Sequence, residues 1–309
     1  MKNLAYHITR NLNKVIDINK YPTAQAQNTN NATRPIGVGI QGVANLLAEM
    51  RFMYESPEAI AIEGKIMETI YYGCVRASLD LAVELGKPYA YFENSHFSRG
   101  IFQFDMGYDN VNLMWDWEPL KEQARKTGIY NSLMTALMPT ASTSQILGNN
   151  ECFEPFTTNL YIRKTSYGTF KSVNKYLVHD LKALNLWTPE LMTNIISKQG
   201  SIQDIDVIPA DIKALYKTVW EMKQRWIVDH AVARAPFVDQ SQSMNLYFPT
   251  IELGKTQSAM VYAWKKGLKT GSYYIHSQPA HKTTNIATAT NDAATCGRDN
   301  KEACESCSA

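Results

Sequence analysis

The fold is decided by a stretch in the middle of the chain, which reads Leu137-Met138-Pro139-Thr140-Ala141-Ser142-Thr143-Ser144-Gln145-Ile146-Leu147-Gly148. Small hydroxyl residues crowd together just after an apolar run, a pattern typical of a strand that passes into a helix. Such a turn presents free backbone N–H groups at the positive end of the helix, and Thr and Ser hydroxyls add further donors. The stretch therefore suits a phosphate or diphosphate without Lys or Arg. An ordinary Ser/Thr helix cap explains the same composition.

The overall composition excludes several classes of protein. The 309 residues carry 31 Lys+Arg against 29 Asp+Glu, a formal charge of +2, and no Lys/Arg run exceeds two residues. This argues against a nucleic-acid binder held by a strong basic field. The 17 Tyr, 10 Phe and 6 Trp exclude wholesale disorder. No apolar stretch of roughly 18 residues and no apolar signal core occur, so the sequence predicts no membrane span and a cytoplasmic location.

The five cysteines are placed unevenly. Cys74 and Cys152 stand alone, and the other three lie near the C-terminus. A secreted disulfide scaffold would spread more cysteines through the chain, so the pattern favours a reducing compartment.

The C-terminal cysteines have two interpretations. Cys304-Glu305-Ser306-Cys307 is a C-x-x-C motif that follows a Thr-, Ala- and Asn-rich segment. On a flexible tether such a dithiol can shuttle between a buried oxidised site and an external reductant. Alternatively, Cys296, Cys304, Cys307 and His281 form a zinc-binding Cys3His set. The loose spacing from His281 to Cys296 favours the redox interpretation, with no metal bound by this chain.

Apolar spacing predicts three long helices. Ser56-Pro57-Glu58 is a helix start, and the periodicity that follows predicts a helix over 57–85 with Cys74 on its buried face. A second helix is predicted over 211–236 and a third over 256–269.

A tyrosine pair stands in Gly271-Ser272-Tyr273-Tyr274-Ile275. Adjacent tyrosines in a strand normally point to opposite faces and serve packing. Neighbouring phenols in van der Waals contact could instead pass a radical together with its proton.

Several stretches carry a resemblance to a known family. They are Arg10-Asn11-Leu12-Asn13-Lys14-Val15-Ile16-Asp17-Ile18-Asn19, Arg34-Pro35-Ile36-Gly37-Val38-Gly39-Ile40-Gln41-Gly42, Met138 to Glu151, Asp239-Gln240-Ser241-Gln242-Ser243, and Gly267-Leu268-Lys269-Thr270-Gly271-Ser272-Tyr273-Tyr274. Together they resemble the large, catalytic subunit of class I ribonucleotide reductase, of the eukaryotic and viral type. The similarity runs through nearly the whole chain.

The resemblance implies a role for each motif. The substrate diphosphate would lie on the loop formed by Thr140, Ala141, Ser142, Thr143 and Ser144. Tyr273 and Tyr274 would carry the radical from the small subunit, which holds the metal and tyrosyl radical cofactor. Cys304 and Cys307 would re-reduce the active-site disulfide and be restored by thioredoxin or glutaredoxin. The small subunit's C-terminal peptide would dock on Met260, Val261 and Trp264. For some of these three, packing in the core is the alternative role.

The resemblance also implies a fold, a ten-stranded α/β barrel of two five-stranded halves. We expect an α/β chain with three parts. Residues 1–210 would form about half of the barrel, residues 211–280 a helical C-terminal region, and residues 281–309 a flexible redox tail. Half a barrel leaves sheet edges and apolar surface exposed.

One family motif is missing from these 309 residues. The thiyl-radical cysteine lies in an Asn-x-Cys-x-Glu motif, and Cys152 does not stand in its place. The chain is therefore expected to be the C-terminal part of a naturally split, phage-type large subunit, in the host cytoplasm, with a separate N-terminal chain as partner. Two alternatives stay open: a relic or regulator that binds the small subunit without catalysis, and a cobalamin-dependent reductase, which has no need of the tyrosine pair.

Overall fold

Helices are the main secondary structure in the computed structural model, which describes residues 1–108, 111–165 and 168–278. The α-helices of these residues are α1 Lys2–Ile18, α2 Ala24–Thr33, α3 Val43–Glu49, α4 Pro57–Leu85, α5 Glu118–Thr127, α6 Ala141–Leu147, α7 Lys175–Ala183, α8 Pro189–Ser197, α9 Ala210–Leu215, α10 Gln224–Arg234 and α11 Leu253–Lys265. The strands are β1 Leu160–Thr165, β2 Gly168–Val173, β3 Leu246–Phe248 and β4 Ile275–Ser277. β1 pairs antiparallel with β2, and β3 pairs parallel with β4.

The long central helix α4 confirms the prediction over 57–85. The Ser56 hydroxyl accepts a hydrogen bond from the Ala59 N–H at 3.2 Å, and Pro57 follows as the first helical residue. The helix ends at Gly86, which has a φ of 67°. Cys74 is fully buried on this helix, as its position in the apolar pattern predicts.

Close packing of α1 on α4 depends on a glycine. A Cβ added at Gly73 would lie 2.5 Å from the Lys2 carbonyl oxygen, so the two backbones approach where no side chain intervenes. The amphipathic face of α1 thereby joins the main hydrophobic core, which contains buried residues of α1, α4 and α10.

The prediction of one helix over 211–236 is wrong. The structure has the short α9, then a 3-10 turn at Val219–Glu221, then α10. The Glu221 carboxylate accepts a hydrogen bond from the Thr218 N–H at 2.6 Å, which starts a new turn and interrupts the helix. Leu215, Val219 and Met222 are all buried even so, which is why the apolar spacing continues through the break.

Three extended segments, residues 36–38, 133–137 and 240–243, lie side by side, with residues 133–137 in the middle. Residues 133–137 form parallel bridges to both other segments, through Val38 with Thr135 and through Leu137 with Gln242. A Cβ at Gly39 would come within 2.4 Å of the Ala136 carbonyl oxygen, so glycine permits the close approach. The glycine-containing residues 34–42, called the Gly-rich stretch below, therefore allow this segment to pack closely on its neighbour.

These features agree with the α/β class but do not show the predicted half-barrel. In the residues that the structure describes, the three central segments pair through isolated bridges instead of a regular five-stranded sheet. The half-barrel therefore stays a prediction.

Residues Met1–Gln278 form one compact unit. The boundary predicted at residue 210 is not tested by this grouping and stays a prediction. The predicted redox tail over 281–309, with Cys304 and Cys307, lies outside the described residues, as does the alternative zinc set.

Candidate functional site

The hydroxyl loop, residues 140–144, sits where the central extended segment passes into α6, as the sequence predicts. Thr140 precedes the helix with a φ of 56°, a left-handed conformation that turns the chain sharply. The Thr140 hydroxyl oxygen accepts a hydrogen bond from the Cys152 N–H at 2.7 Å. The first N–H groups of α6 have no partner within the helix itself, because helix geometry leaves them unpaired. The loop thus combines a rigid turn with unpaired donors.

One side chain of the hydroxyl loop is held by the Gly-rich stretch, residues 34–42. The Thr143 hydroxyl donates to Gln41 Oε1 at 3.0 Å, and Gln41 Nε2 donates to Asn149 Oδ1 at 3.0 Å. Ser144 is buried, whereas Ala141, Ser142 and Thr143 are exposed. The exposed part of the loop can therefore meet a ligand while its base is fixed.

The two tyrosines of the predicted pair contact each other. Their ring centroids lie 4.1 Å apart at an interplanar angle of 56°. They lie just before β4, where the Tyr273 N–H donates to the Met244 carbonyl oxygen at 2.6 Å. The Tyr274 N–H donates to Asn245 Oδ1 at 3.1 Å. Both rings are about half exposed, so the interpretation as opposite-facing core residues is wrong.

The hydroxyls of the pair also interact. A hydrogen bond with Tyr274, followed by its charge, raises the pKa of Tyr273. The Tyr273 phenol therefore keeps its proton at neutral pH, since an unperturbed tyrosine titrates near pH ~10. A proton is thus available to move with each electron.

A cleft of about 450 Å³ lies beside the hydroxyl loop. Ser144 of the loop lines it on one side, and Tyr247 of β3 and His276 of β4 line it on the other. β4 directly follows the tyrosine pair in sequence. The hydroxyl loop and the strand after the pair therefore border the same cleft.

Sequence reasoning missed a buried acidic residue in this cleft. Glu154 is buried, and its Oε1 accepts a hydrogen bond from the Asn245 N–H at 3.3 Å. Burial raises the pKa of Glu154 to about 7. Its position between the apolar Phe153 and Pro155 was the available signal, since a lone carboxylate in apolar sequence needs a partner when it is buried.

The predicted docking residues on α11 divide into two kinds. Trp264 is 73% exposed and Val261 is 40% exposed. Met260 is partly buried, and its sulfur would lie 2.7 Å from a Cβ added at Gly271. Met260 is therefore partly packed, whereas Val261 and Trp264 are exposed, and docking on these three residues stays a prediction.

The two cysteines of the described residues are buried thiols. Burial raises the pKa of Cys74 and of Cys152 to about 12. Neither is a thiolate at neutral pH. In the described part of the chain, no group of three or more His, Cys, Asp or Glu side chains is arranged to hold a metal ion. No helix there is both long and apolar enough to cross a membrane.

Comparison with known proteins decides the family. A family model described as the barrel domain of ribonucleotide reductase matches residues 1–274. The chain belongs to this family. The match includes the hydroxyl loop, Tyr273 and Tyr274, and it ends before Cys304 and Cys307.

Curated relatives in this ribonucleotide reductase family come from distant eukaryotes. The ribonucleoside-diphosphate reductase large subunit of Arabidopsis thaliana is 49% identical over 273 residues, which cover 88% of this chain and 33% of the relative. The large chain of Neurospora crassa is 50% identical over 273 residues, 88% of this chain and 29% of the relative. The large subunit of Danio rerio is 48% identical over 272 residues, 88% of this chain and 34% of the relative. The chain thus spans about a third of the length of these relatives.

Proposed function

We propose that this chain is a component of an aerobic class I ribonucleotide reductase, which reduces ribonucleoside diphosphates to 2′-deoxyribonucleoside diphosphates. The observation that carries the proposal is the meeting of the hydroxyl loop and the strand after the tyrosine pair at one cleft. A diphosphate held by the loop would lie near the end of a radical relay. The family match over residues 1–274 supports the same reaction.

The hydroxyl loop is proposed to hold the substrate diphosphate. Its unpaired N–H groups and the exposed Ser142 hydroxyl donate to phosphate oxygens, the Thr143 hydroxyl does so once it turns away from Gln41, and the positive end of α6 favours the negative charge. Without a ligand, Gln41 holds the Thr143 hydroxyl through the bond at 3.0 Å. The loop thus positions the ribose without adding a charged side chain.

Tyr274 and Tyr273 are proposed to pass a radical inward from the metal-containing small subunit. Each step moves one electron and one phenolic proton, and the ring contact at 4.1 Å allows the transfer. The radical then reaches a thiyl cysteine that lies outside these 309 residues. That thiyl abstracts a hydrogen atom from the ribose, and a cysteine pair supplies two electrons to the 2′ carbon, which loses its hydroxyl as water.

The tail is proposed to reset the enzyme. Reduction of the 2′ carbon leaves a disulfide, and Cys304 and Cys307 exchange with it and become oxidised themselves. Thioredoxin or glutaredoxin then reduces the tail. We propose that the small subunit docks on Val261 and Trp264, and that a separate N-terminal chain supplies the Asn-x-Cys-x-Glu motif, as in a split phage-type subunit.

Reconstitution tests the function directly. The chain is mixed with an N-terminal polypeptide that carries Asn-x-Cys-x-Glu and with a radical-loaded small subunit, and cytidine diphosphate reduction is followed by chromatography. We expect deoxycytidine diphosphate only from the complete mixture. Product from this chain alone contradicts the division of roles, and a fully assembled, radical-loaded complex without product favours a non-catalytic protein.

A regulatory relic is the second candidate, because the 73% exposed Trp264 supports small-subunit binding independently of catalysis. In that case the chain would bind the small subunit and lower the activity of a complete reductase added in competition. Turnover in the reconstituted mixture excludes this candidate.

A further inference from the structure

A line of aromatic rings continues from the tyrosine pair into the protein. The ring of Tyr274 lies 5.8 Å from His276, between centroids. His276 stacks on Tyr247 at 4.9 Å with an interplanar angle of 20°. Tyr247 in turn contacts Trp220 edge-on at 5.3 Å. The line therefore leads from a half-exposed tyrosine to a buried one.

The parallel pairing of β3 with β4 fixes this arrangement. Tyr247 and His276 are direct partners in the register of the two strands, so their side chains share one face of the sheet. Asn245 reinforces the contact, because its side chain accepts from the Tyr274 N–H and its own N–H donates to Glu154. The rings are thus held by backbone pairing and not by loose surface packing.

Tyr247 has what a redox-active tyrosine needs, a nearby proton acceptor. Tyr247 and Glu154 line the same cleft, and burial followed by the charge of Glu154 raises the pKa of Tyr247. Oxidation of a neutral phenol requires its proton to leave, and a carboxylate with a pKa of about 7 can take it at neutral pH. Tyr247 is only 6% exposed, so a radical there would be shielded from reductants in solution.

We propose that Tyr247, with Glu154 as its proton acceptor, is a side branch of the radical relay that holds the radical when forward transfer is blocked. The inference rests on the proposed function, which supplies the oxidant, a phenoxyl radical on Tyr274. In the step, Tyr247 loses one electron to Tyr274 through the His276 stack and its phenolic proton to Glu154. Tyr274 gains that electron and one proton from solvent and returns to the phenol. The reverse step returns the radical from Tyr247 to Tyr274.

The test blocks the forward path. Tyr273→Phe is combined with the N-terminal chain, a radical-loaded small subunit and substrate, and freeze-quenched samples are measured by electron paramagnetic resonance. We expect two tyrosyl components from this chain. Tyr247→Phe should remove one of them, and Glu154→Gln should lower its yield while the Tyr274 component persists. Two components that Tyr247→Phe leaves unchanged, or a Tyr274 component alone, would overturn the branch.

Tyr216 provides the matched control. It is also buried, and its hydroxyl donates to the Asp180 carboxylate at 2.7 Å, yet the described ring contacts do not join it to Tyr274. Tyr216→Phe should therefore leave both components in place.

Two further measurements distinguish failure of the branch from misfolding of a variant and from failure of the proposed function. Incorporation of 3-fluorotyrosine at position 247 keeps the hydroxyl and should add fluorine splitting to the second component, and absence of that splitting in a folded complex rejects the branch. Absence of every tyrosyl component from this chain, with a loaded small subunit, rejects the relay itself and the branch with it.

Discussion

The phenol rings of Tyr273 and Tyr274 contact each other just before β4, with their centroids 4.1 Å apart, and both are about half exposed to solvent. Packing does not require this arrangement, because neither ring fills the core. The hydroxyls interact strongly enough to raise the pKa of Tyr273. A pair of phenols in contact, exposed on one side, has the properties of a proton-coupled electron relay.

Removal of either phenolic hydroxyl should stop the relay. We expect Tyr273→Phe and Tyr274→Phe each to abolish deoxynucleotide formation in the reconstituted complex, because phenylalanine cannot release a proton with its electron. Substrate binding, measured by equilibrium dialysis, should stay unchanged. Tyr91→Phe, at a tyrosine that is 62% exposed, is the control and should keep full turnover. Turnover in either pair variant would remove the relay role.

The sequence predicted local structure well where capping chemistry was explicit. Ser56, Pro57 and Gly86 bracket α4 at its observed bounds. The helix predicted over 211–236 was wrong because Thr218 and Glu221 close a new turn, while the apolar face continues across it. Periodicity reports which face is buried, and it does not report whether the backbone hydrogen bonds continue.

The site could be predicted only in part, because its contacts join distant segments. The hydroxyl loop and the tyrosine pair were visible as local motifs. The cleft beside the loop was not, since its residues Glu154, Tyr247 and His276 come from distant segments, and the last two are brought together by the pairing of β3 with β4. The local sequence offered a signal only for Glu154, whereas the stacking of Tyr247 on His276 depends on that pairing.

Loss of a hydroxyl in the loop should weaken substrate binding. Thr143→Val keeps the shape of the side chain but loses a donor and the bond to Gln41. A hydrogen bond to a charged group contributes about 1.5–3 kcal/mol, which corresponds to a roughly 10- to 100-fold rise in KM for cytidine diphosphate. Thr193→Val, at an exposed hydroxyl on α8, is the matched control and should not change KM. Equal KM values for the two variants would assign residues 140–144 to helix capping only.

If the tail dithiol transfers electrons, turnover of its cysteine variants should depend on which reductant is supplied. Cys304→Ser or Cys307→Ser should stop turnover with thioredoxin and leave partial turnover with a small dithiol, which enters the pocket without the tail. Cys296→Ser separates redox chemistry from zinc binding. It should keep turnover with thioredoxin if the tail shuttles electrons, whereas equal loss in all three variants with both reductants indicates zinc or a structural role.

The buried ionic cluster of Glu63, His230 and Arg234 should dominate the acid stability of the core. All three side chains are fully buried, with Glu63 between the other two. Burial opposes ionisation of Glu63, and the charges of His230 and Arg234 overcome it, so the pKa of Glu63 is lowered. Because the folded pKa lies below the unfolded one, the stabilisation is present above the unfolded pKa of about 4.3 and is lost as pH falls through the folded pKa.

Glu63→Gln tests this cluster. Breaking a buried pair leaves an uncompensated charge, and we expect a loss of about 3–5 kcal/mol in the free energy of unfolding at pH 7. Urea unfolding of the complex with the N-terminal chain measures it, and the difference from the unmodified protein should shrink on acidification below pH ~4. Glu84→Gln, at the exposed pair with Arg10, should change little. Equal effects of the two substitutions would contradict a special role for the buried cluster.

The exposed apolar side chains of α6 predict that the chain needs a covering partner. Ile146 is 81% exposed and Leu147 is 69% exposed, directly after the hydroxyl loop. We expect the purified chain to self-associate on size-exclusion chromatography and to elute as a defined complex when it is co-expressed with the N-terminal polypeptide, because burial of this surface is favourable in either case. Ile146→Ser with Leu147→Ser should reduce self-association and also weaken the complex, whereas Val83→Ser, at an exposed position on α4, should do neither. A monomer that unfolds cooperatively on its own would show that this surface requires no cover.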